Sequence, residues 1–172
     1  MKASQLLLST ACALFHGVTG TPSPPALTYL GSANASLATP IAVGVGPLGP
    51  RTIIGITGGT FKGPRFSASI SNIGGGDWGL GDPAAHAFYV DARYVMRTTD
   101  GANIYVVASG PQQDSGVIHS RVKFETGHPK YSWLNKVVAI GFEYPGPGYI
   151  IIDVWKVESP VAGKGEEGKQ EL

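Results

Sequence analysis

The sequence predicts an all-β domain of antiparallel strands, closed as a barrel or stacked as a sandwich. Three observations lead there. Apolar residues recur with period two far more often than with helical spacing. Gly- and Pro-rich separators divide the chain into short segments of similar length. The 172 residues suffice for one domain with a substantial core.

The first residues have the pattern expected of a leader. Lys2 supplies a positive start, Leu6, Leu7, Leu8, Ala11, Cys12, Ala13, Leu14 and Phe15 an apolar run, and Val18, Thr19 and Gly20 a small-residue end. That order predicts a secretory signal peptide over residues 1–20, cleaved after Gly20. The run is shorter than the roughly 20 apolar residues that span a bilayer. The expected location is therefore the secretory-pathway lumen or the outside of the cell. Loss of the leader removes Lys2, so 12 basic residues face Asp+Glu 12 and the mature domain is neutral. Neutrality argues against nucleic acid, or a membrane surface after cleavage, as a partner. The only cysteine, Cys12, leaves too, and with it any disulfide, thiol nucleophile or thiolate metal site. Asn34-Ala35-Ser36 is a glycosylation sequon at Asn34.

The strands follow in order. Phe66, Ala68 and Ile70 alternate with Ser67, Ser69 and Ser71. Over residues 86–97 one face carries Phe88, Val90, Ala92, Tyr94 and Met96, the other Tyr89, Asp91, Arg93, Val95 and Arg97. Over 117–125, Ile118, Ser120, Val122 and Phe124 alternate with His119, Arg121, Lys123 and Glu125. Residues 137–144 and 149–157 are rich in β-branched and aromatic types. Asp100-Gly101 reads as a hairpin turn, and Pro145-Gly146-Pro147-Gly148 parts the last two strands. Gly58-Gly59 and Gly74-Gly75-Gly76 mark turns or bulges. Residues 129–136 form the one short helix, with proline at its start. The domain is expected to span 21–158, followed by a polar, Gly-containing disordered tail over 159–172. The polar strand faces suit solvent or a barrel interior equally well.

Four ordered blocks carry a family resemblance. They are Arg51 through Ile56-Thr57-Gly58-Gly59-Thr60-Phe61-Lys62-Gly63-Pro64; Gly76-Asp77-Trp78; Asp91-Ala92-Arg93-Tyr94 with Thr98, Asp100-Gly101-Ala102 and Ile104-Tyr105-Val106; and Phe124-Glu125-Thr126-Gly127-His128-Pro129-Lys130-Tyr131-Ser132-Trp133-Leu134-Asn135. Over residues 27–157 the chain resembles a family of bacteria and fungi known as domain of unknown function 3237. The resemblance implies a single antiparallel β-barrel with a cavity. For a secreted fungal-type member it implies a natural-product pathway, with a cyclase or isomerase, such as a hetero-Diels–Alder pericyclase, as the activity. Two positions depart from the family pattern. Gly79 stands where members carry glutamine, and Val117, Ile118 and His119 stand where an aromatic pair and an arginine are usual.

Each candidate residue admits a chemical role and a plain structural one. Asp91 and Arg93 share a strand face, where the arginine could donate to a ligand oxygen oriented by Asp91, or the two could form a rim ion pair. His119 suits a general base or a solvated strand histidine; Glu125, on the same face, lies about 20 Å away in extended chain. Asp77 and Trp78, after three glycines, suit a cavity mouth or a structural turn. Tyr131 and Trp133 could line a pocket or plug one barrel end. Arg93, His119 and Asp77 are thus the catalytic candidates, with Arg51, Trp78, Asp91, Tyr105, Glu125, Tyr131 and Trp133 for binding. Four histidines without close spacing give no metal site. Gly58-Gly59 lacks the lysine of a phosphate loop, and no nucleophile elbow occurs. The expectation is a cofactor-free enzyme acting on an apolar, oxygenated small molecule, or a non-catalytic secreted binding or interaction protein using the same cavity. A homo-oligomer is open.

Overall fold

A computed structural model describes residues 23–84 and 86–159. The expected signal peptide and all of the expected tail but Ser159 lie outside the described residues.

Among the described residues ten strands follow one another: β1 (Leu27–Leu37), β2 (Ile41–Gly46), β3 (Gly49–Lys62), β4 (Ser67–Ile70), β5 (Gly76–Asp82), β6 (Ala87–Thr98), β7 (Asn103–Pro111), β8 (Ile118–Glu125), β9 (Ala139–Gly146) and β10 (Tyr149–Val157). A 3-10 helix, Pro129–Lys136, interrupts them between β8 and β9. All pairings are antiparallel. The order β1-β10-β9-β8-β7-β6, then β4 and β5 together, then β3 and back to β1 closes an 8-strand barrel. β4 and β5 share one position between β3 and β6. β4 pairs with one end of each and β5 with the other. β2 pairs with β3 alone and stands outside the ring.

The period-two pattern builds this directly. In β8, Ile118, Ser120, Val122 and Phe124 are buried while His119, Arg121, Lys123 and Glu125 are exposed. In β6, Val90, Tyr94 and Met96 are buried, and Asp91 and Arg93 lie on the outer face. The long β3 lies flat against β1 only because of Gly59. Its φ is +137°, and a Cβ there would sit 2.2 Å from the Asn34 carbonyl oxygen. A side chain at that point would force the two strands apart.

The two halves of the barrel are filled differently. One end is packed solid. Phe61, Met96, Ile104, Val106 and Leu134 are almost fully buried there. Phe66 stacks on Phe61 at 4.8 Å and meets Tyr131 edge-on at 5.6 Å. The 3-10 helix over residues 129–136, with proline at its start and Tyr131 and Leu134 buried, is the plug of this end. Asp100, in the β6–β7 turn, ties it down. It accepts from Lys130 Nζ at 2.5 Å, Tyr131 Oη at 2.8 Å and Thr98 Oγ1 at 2.5 Å. The opposite end is hollow.

Candidate functional site

The hollow end holds a cavity of about 210 Å³. Its walls are Leu37, Ile54, Ile56, Phe88, Val90, Ile118, Ile150 and Ile152, with small residues such as Ala35 and Ala92 leaving the space between them. Four polar side chains face it: Asp77, Tyr94, Gln112 and Glu143.

Asp77 comes from β5, where it stands opposite Ile54 of β3 and Ala92 of β6. It is buried, and its Oδ1 accepts the Asp91 backbone N–H at 2.8 Å. Burial raises its carboxyl to about 6, the Asp91 N–H pulls the other way, and the Asp91 charge adds to the rise. Glu143 comes from β9, between Ile118 of β8 and Ile152 of β10, and is 2% exposed. Burial raises its carboxyl to about 7. The Ser120 hydroxyl opposes that and the Asp77 charge reinforces it. Ser120 lies near enough to favour the carboxylate yet outside hydrogen-bond geometry, since neither Ser120 Oγ nor Glu143 Oε1 has a partner. The Tyr94 phenol is held protonated, first by burial and then by the Glu143 charge.

Two buried carboxyls, the Glu143 one feeling the charge of Asp77, thus face an apolar hollow, and both protonate near neutrality. An unpartnered oxygen on a buried carboxyl is costly unless something else uses it. Gly79 shapes the same wall. A Cβ at that position would lie 1.9 Å from Phe88 Cζ, so the phenyl ring occupies the space a side chain there would fill. This is the structural counterpart of the departure noted at Gly79.

The structure corrects most of the expected site. Arg93 and His119 are outside the barrel, because the strand parity that buries Tyr94 and Ile118 turns their neighbours to solvent. Arg93 pairs with Asp91 at 3.0 Å on the outer surface. Arg93 and His119 are therefore not in place to act as catalytic groups of the cavity. Asp91, Tyr105 and Glu125 share that outer face and are withdrawn as binding groups. Trp78 faces outward beneath Arg93, and Arg51 donates to the Trp78 carbonyl at 2.6 Å, bracing β3 against β5. Tyr131 belongs to the plug, as does Trp133, which carries the Arg65 guanidinium 3.6 Å from its ring centre. Of the expected residues only Asp77 lines the cavity. Glu143, Tyr94 and Gln112 were missed. Asn34 lies on the exposed outer face of β1. Among the described residues no three His, Cys, Asp or Glu side chains are grouped as metal ligands.

Comparison with known proteins gives consistent results. A family model described as a protein of unknown function, DUF3237, matches residues 25–113 and 107–157. The hydroalkoxylation enzyme phnH of Penicillium herquei is 30% identical over 153 residues, covering 88% of this chain and 97% of that protein. A UPF0311 protein of Rhodopseudomonas palustris is 32% identical over 126 residues, 63% of this chain and 81% of its own. Among solved structures, a β-barrel-like protein of Acinetobacter baumannii superposes with TM-score 0.74 at 31% identity, over 80% of this chain and 99% of that one. An enzyme from Penicillium herquei superposes with TM-score 0.68 at 30% identity, over 82% and 100% respectively.

Proposed function

The chain belongs to the DUF3237 family, and from that membership together with the acid-lined cavity we propose that it is a cofactor-free enzyme of natural-product chemistry. Its reaction is the addition of a hydroxyl group across a carbon–carbon double bond of the same molecule. Such a step closes a ring and conserves every atom, so it is at once a cyclisation and an isomerisation. The reading rests on one observation, the two buried carboxyls facing an apolar hollow with raised proton affinities. Similarity to a protein named as a hydroalkoxylation enzyme supports it. A pericyclic reaction would make less use of a proton donor and acceptor.

The two proton affinities set the roles. Asp77, protonating near 6, is largely ionised at pH 7, whereas Glu143, near 7, keeps its proton about half the time. Glu143 donates its proton to one alkene carbon as positive charge develops on the other. The substrate oxygen bonds to that second carbon and loses its proton to Asp77. Proton return from Asp77 to Glu143 restores the pair. Tyr94 and Gln112 are placed to orient the substrate hydroxyl, and the apolar walls exclude water that would compete for the cation.

The space favours an uncharged, oxygenated, mostly apolar substrate. Ligand pockets run to roughly 300–1,000 Å³, so this one holds a small molecule or one limb of a larger one. A second hollow at the mouth shares Leu37, Ile54 and Pro145 and adds Thr39, Pro40 and Tyr149, offering room for the remainder. The test uses ortho-allylphenol and aliphatic hydroxyalkenes with wild type, Asp77→Asn and Glu143→Gln. Either variant should lose about 100-fold or more in turnover while keeping its fold. Turnover that survives both substitutions would sink the mechanism. Binding without turnover in the wild type would assign a carrier role instead.

A further inference from the structure

β8 turns Ile118, Ser120, Val122 and Phe124 inward, and Ser120 is the polar one among them. It is 3% exposed, and its Oγ has no hydrogen-bond partner. A buried hydroxyl left unpaired is destabilising. Alanine would fill the same inward position without that penalty, so packing does not account for the serine. The neighbouring strand shows where the hydroxyl is aimed. Ser120 stands opposite Gly141 of β9, and Ile118 stands opposite Glu143. Glu143 is therefore the diagonal neighbour of Ser120 on the inner face, within reach for a long side chain. Gly141 keeps the way clear. A Cβ there would lie 2.6 Å from Ser120 Oγ, so the hydroxyl leans over β9 into space that a side chain at 141 would fill. The other groups at that spot are methyls, Val122 Cγ2 and Ile152 Cγ2, at 3.1 and 3.3 Å from the same point. Unlike Tyr94 and Gln112, Ser120 is not a wall of the cavity, so its hydroxyl serves Glu143 and not a substrate. Glu143 Oε1 is equally buried and equally without a partner.

We propose that Ser120 is the positioning residue of the acid: its hydroxyl donates a hydrogen bond to the Glu143 carboxylate that remains when the proton passes to the alkene. The inference rests on the reading of the cavity as a site of acid-catalysed hydroxyl addition. Glu143 gives its proton to carbon and keeps the electron pair of the broken O–H bond, while Ser120 keeps its own proton throughout. The negative charge arises beside Ile118 and Ile152, where water is excluded and a donor aimed at it is most effective. Asp77 already has a fixed donor, the Asp91 backbone N–H at 2.8 Å, which suits a group that is ionised at rest. Glu143 alternates between protonated and ionised forms. A hydroxyl that rotates can leave the first alone and bond to the second. Its proton affinity follows the same logic, since burial raises it and Ser120 opposes the rise. Of the side chains lining the cavity with Glu143, Asp77 from β5 and Tyr94 from β6 also titrate. The inner faces of β8 and β10, which flank Glu143, carry no charge.

Ser120→Ala removes the hydroxyl and adds no bulk, so the barrel stands and two readouts test the role. Melting followed from about pH 4 to about pH 9 reports the Glu143 proton without any turnover. The fall in stability should level off near pH 7 in wild type and about one pH unit higher in Ser120→Ala. In a Glu143→Gln background the same substitution should leave the pH dependence where it was. With ortho-allylphenol, kcat should fall about tenfold while KM stays within about twofold, and the alkaline limb of the kcat profile should move up by the same interval as the melting curve. Stability that levels off at the wild-type pH in Ser120→Ala overturns the proposal. A shift that persists in the Glu143→Gln background overturns it too, as does an unchanged kcat beside a shifted melting curve. A wild type inert toward every hydroxyalkene, with the melting shift present, overturns the reaction proposed above and sustains Ser120 as the donor to ionised Glu143.

Discussion

Replacing Glu143 by glutamine should stabilise the protein and silence it together. Burial raises this carboxyl from an ordinary 4.5 to about 7. Below pH 4.5 the folded and unfolded chains both hold the proton, and Glu143 makes no difference. Between 4.5 and 7 the unfolded chain releases it while the native chain retains it, so stability falls as pH rises. Above 7 the loss is complete. Each pH unit in that window corresponds to about 1.4 kcal/mol, which gives about 3 kcal/mol of native-state penalty at pH 8. Glutamine has nearly the same shape and no charge, so the variant escapes the penalty. In a domain of this size about 3 kcal/mol moves Tm by about 10 °C. Calorimetry of both proteins at pH 4 and pH 8 is the assay. The curves should coincide at pH 4, separate by that amount at pH 8, and accompany a loss of turnover. A variant no more stable than wild type at pH 8, or equally stabilised at both pH values, would show that Glu143 is not a buried acid with a raised proton affinity.

Other perturbations probe the frame around the pair. Gly79→Ala should drive Phe88 from its place, since the new Cβ falls 1.9 Å from the ring; ligand affinity, read by titration, should drop well before the fold is lost. Asp100→Asn should loosen the plug. The wild-type carboxylate is held well below the usual range by Lys130 first, then by Thr98 and Tyr131. Its contribution is present at neutral pH and vanishes as acid protonates it, so the two melting curves should converge at low pH. Arg93→Met should leave turnover unchanged, because Arg93 lies outside the barrel with Asp91 as its partner. A large loss there would return the outer face to consideration.

Much of the fold was legible because side-chain parity and burial agree along most strands. β8 alternates without a fault, the Asp100-Gly101 turn is where the pattern breaks, and the helical segment has the predicted bounds. β5 was obscured by its own composition. Gly74-Gly75-Gly76 reads as a turn or bulge that carries Asp77 and Trp78 with it, yet from Gly76 the stretch is a strand, held by ladders to β3 and β6 on either side. β2 was hidden for the opposite reason. Its apolar residues suggest burial, and all of them are exposed.

The site was illegible where bulk and burial are inverted. In β9 the buried positions are Ala139, Gly141 and Glu143, while Ile140 and Phe142 are half-buried and Tyr144 is exposed. A reading by hydrophobicity turns Ile140, Phe142 and Tyr144 inward and sends Glu143 to solvent. β5 does the same. Asp77 and Gly79 point in, and Trp78 and Leu80 point out. Such inversion has no use in a packed barrel, where large side chains must fill the centre. It is what a strand needs if it is to leave room for something else. Small residues beside a lone carboxylate on one face, with aromatic bulk on the other, therefore mark a strand that lines a cavity. Two strands here carry that mark, and each contributes one of the two acids.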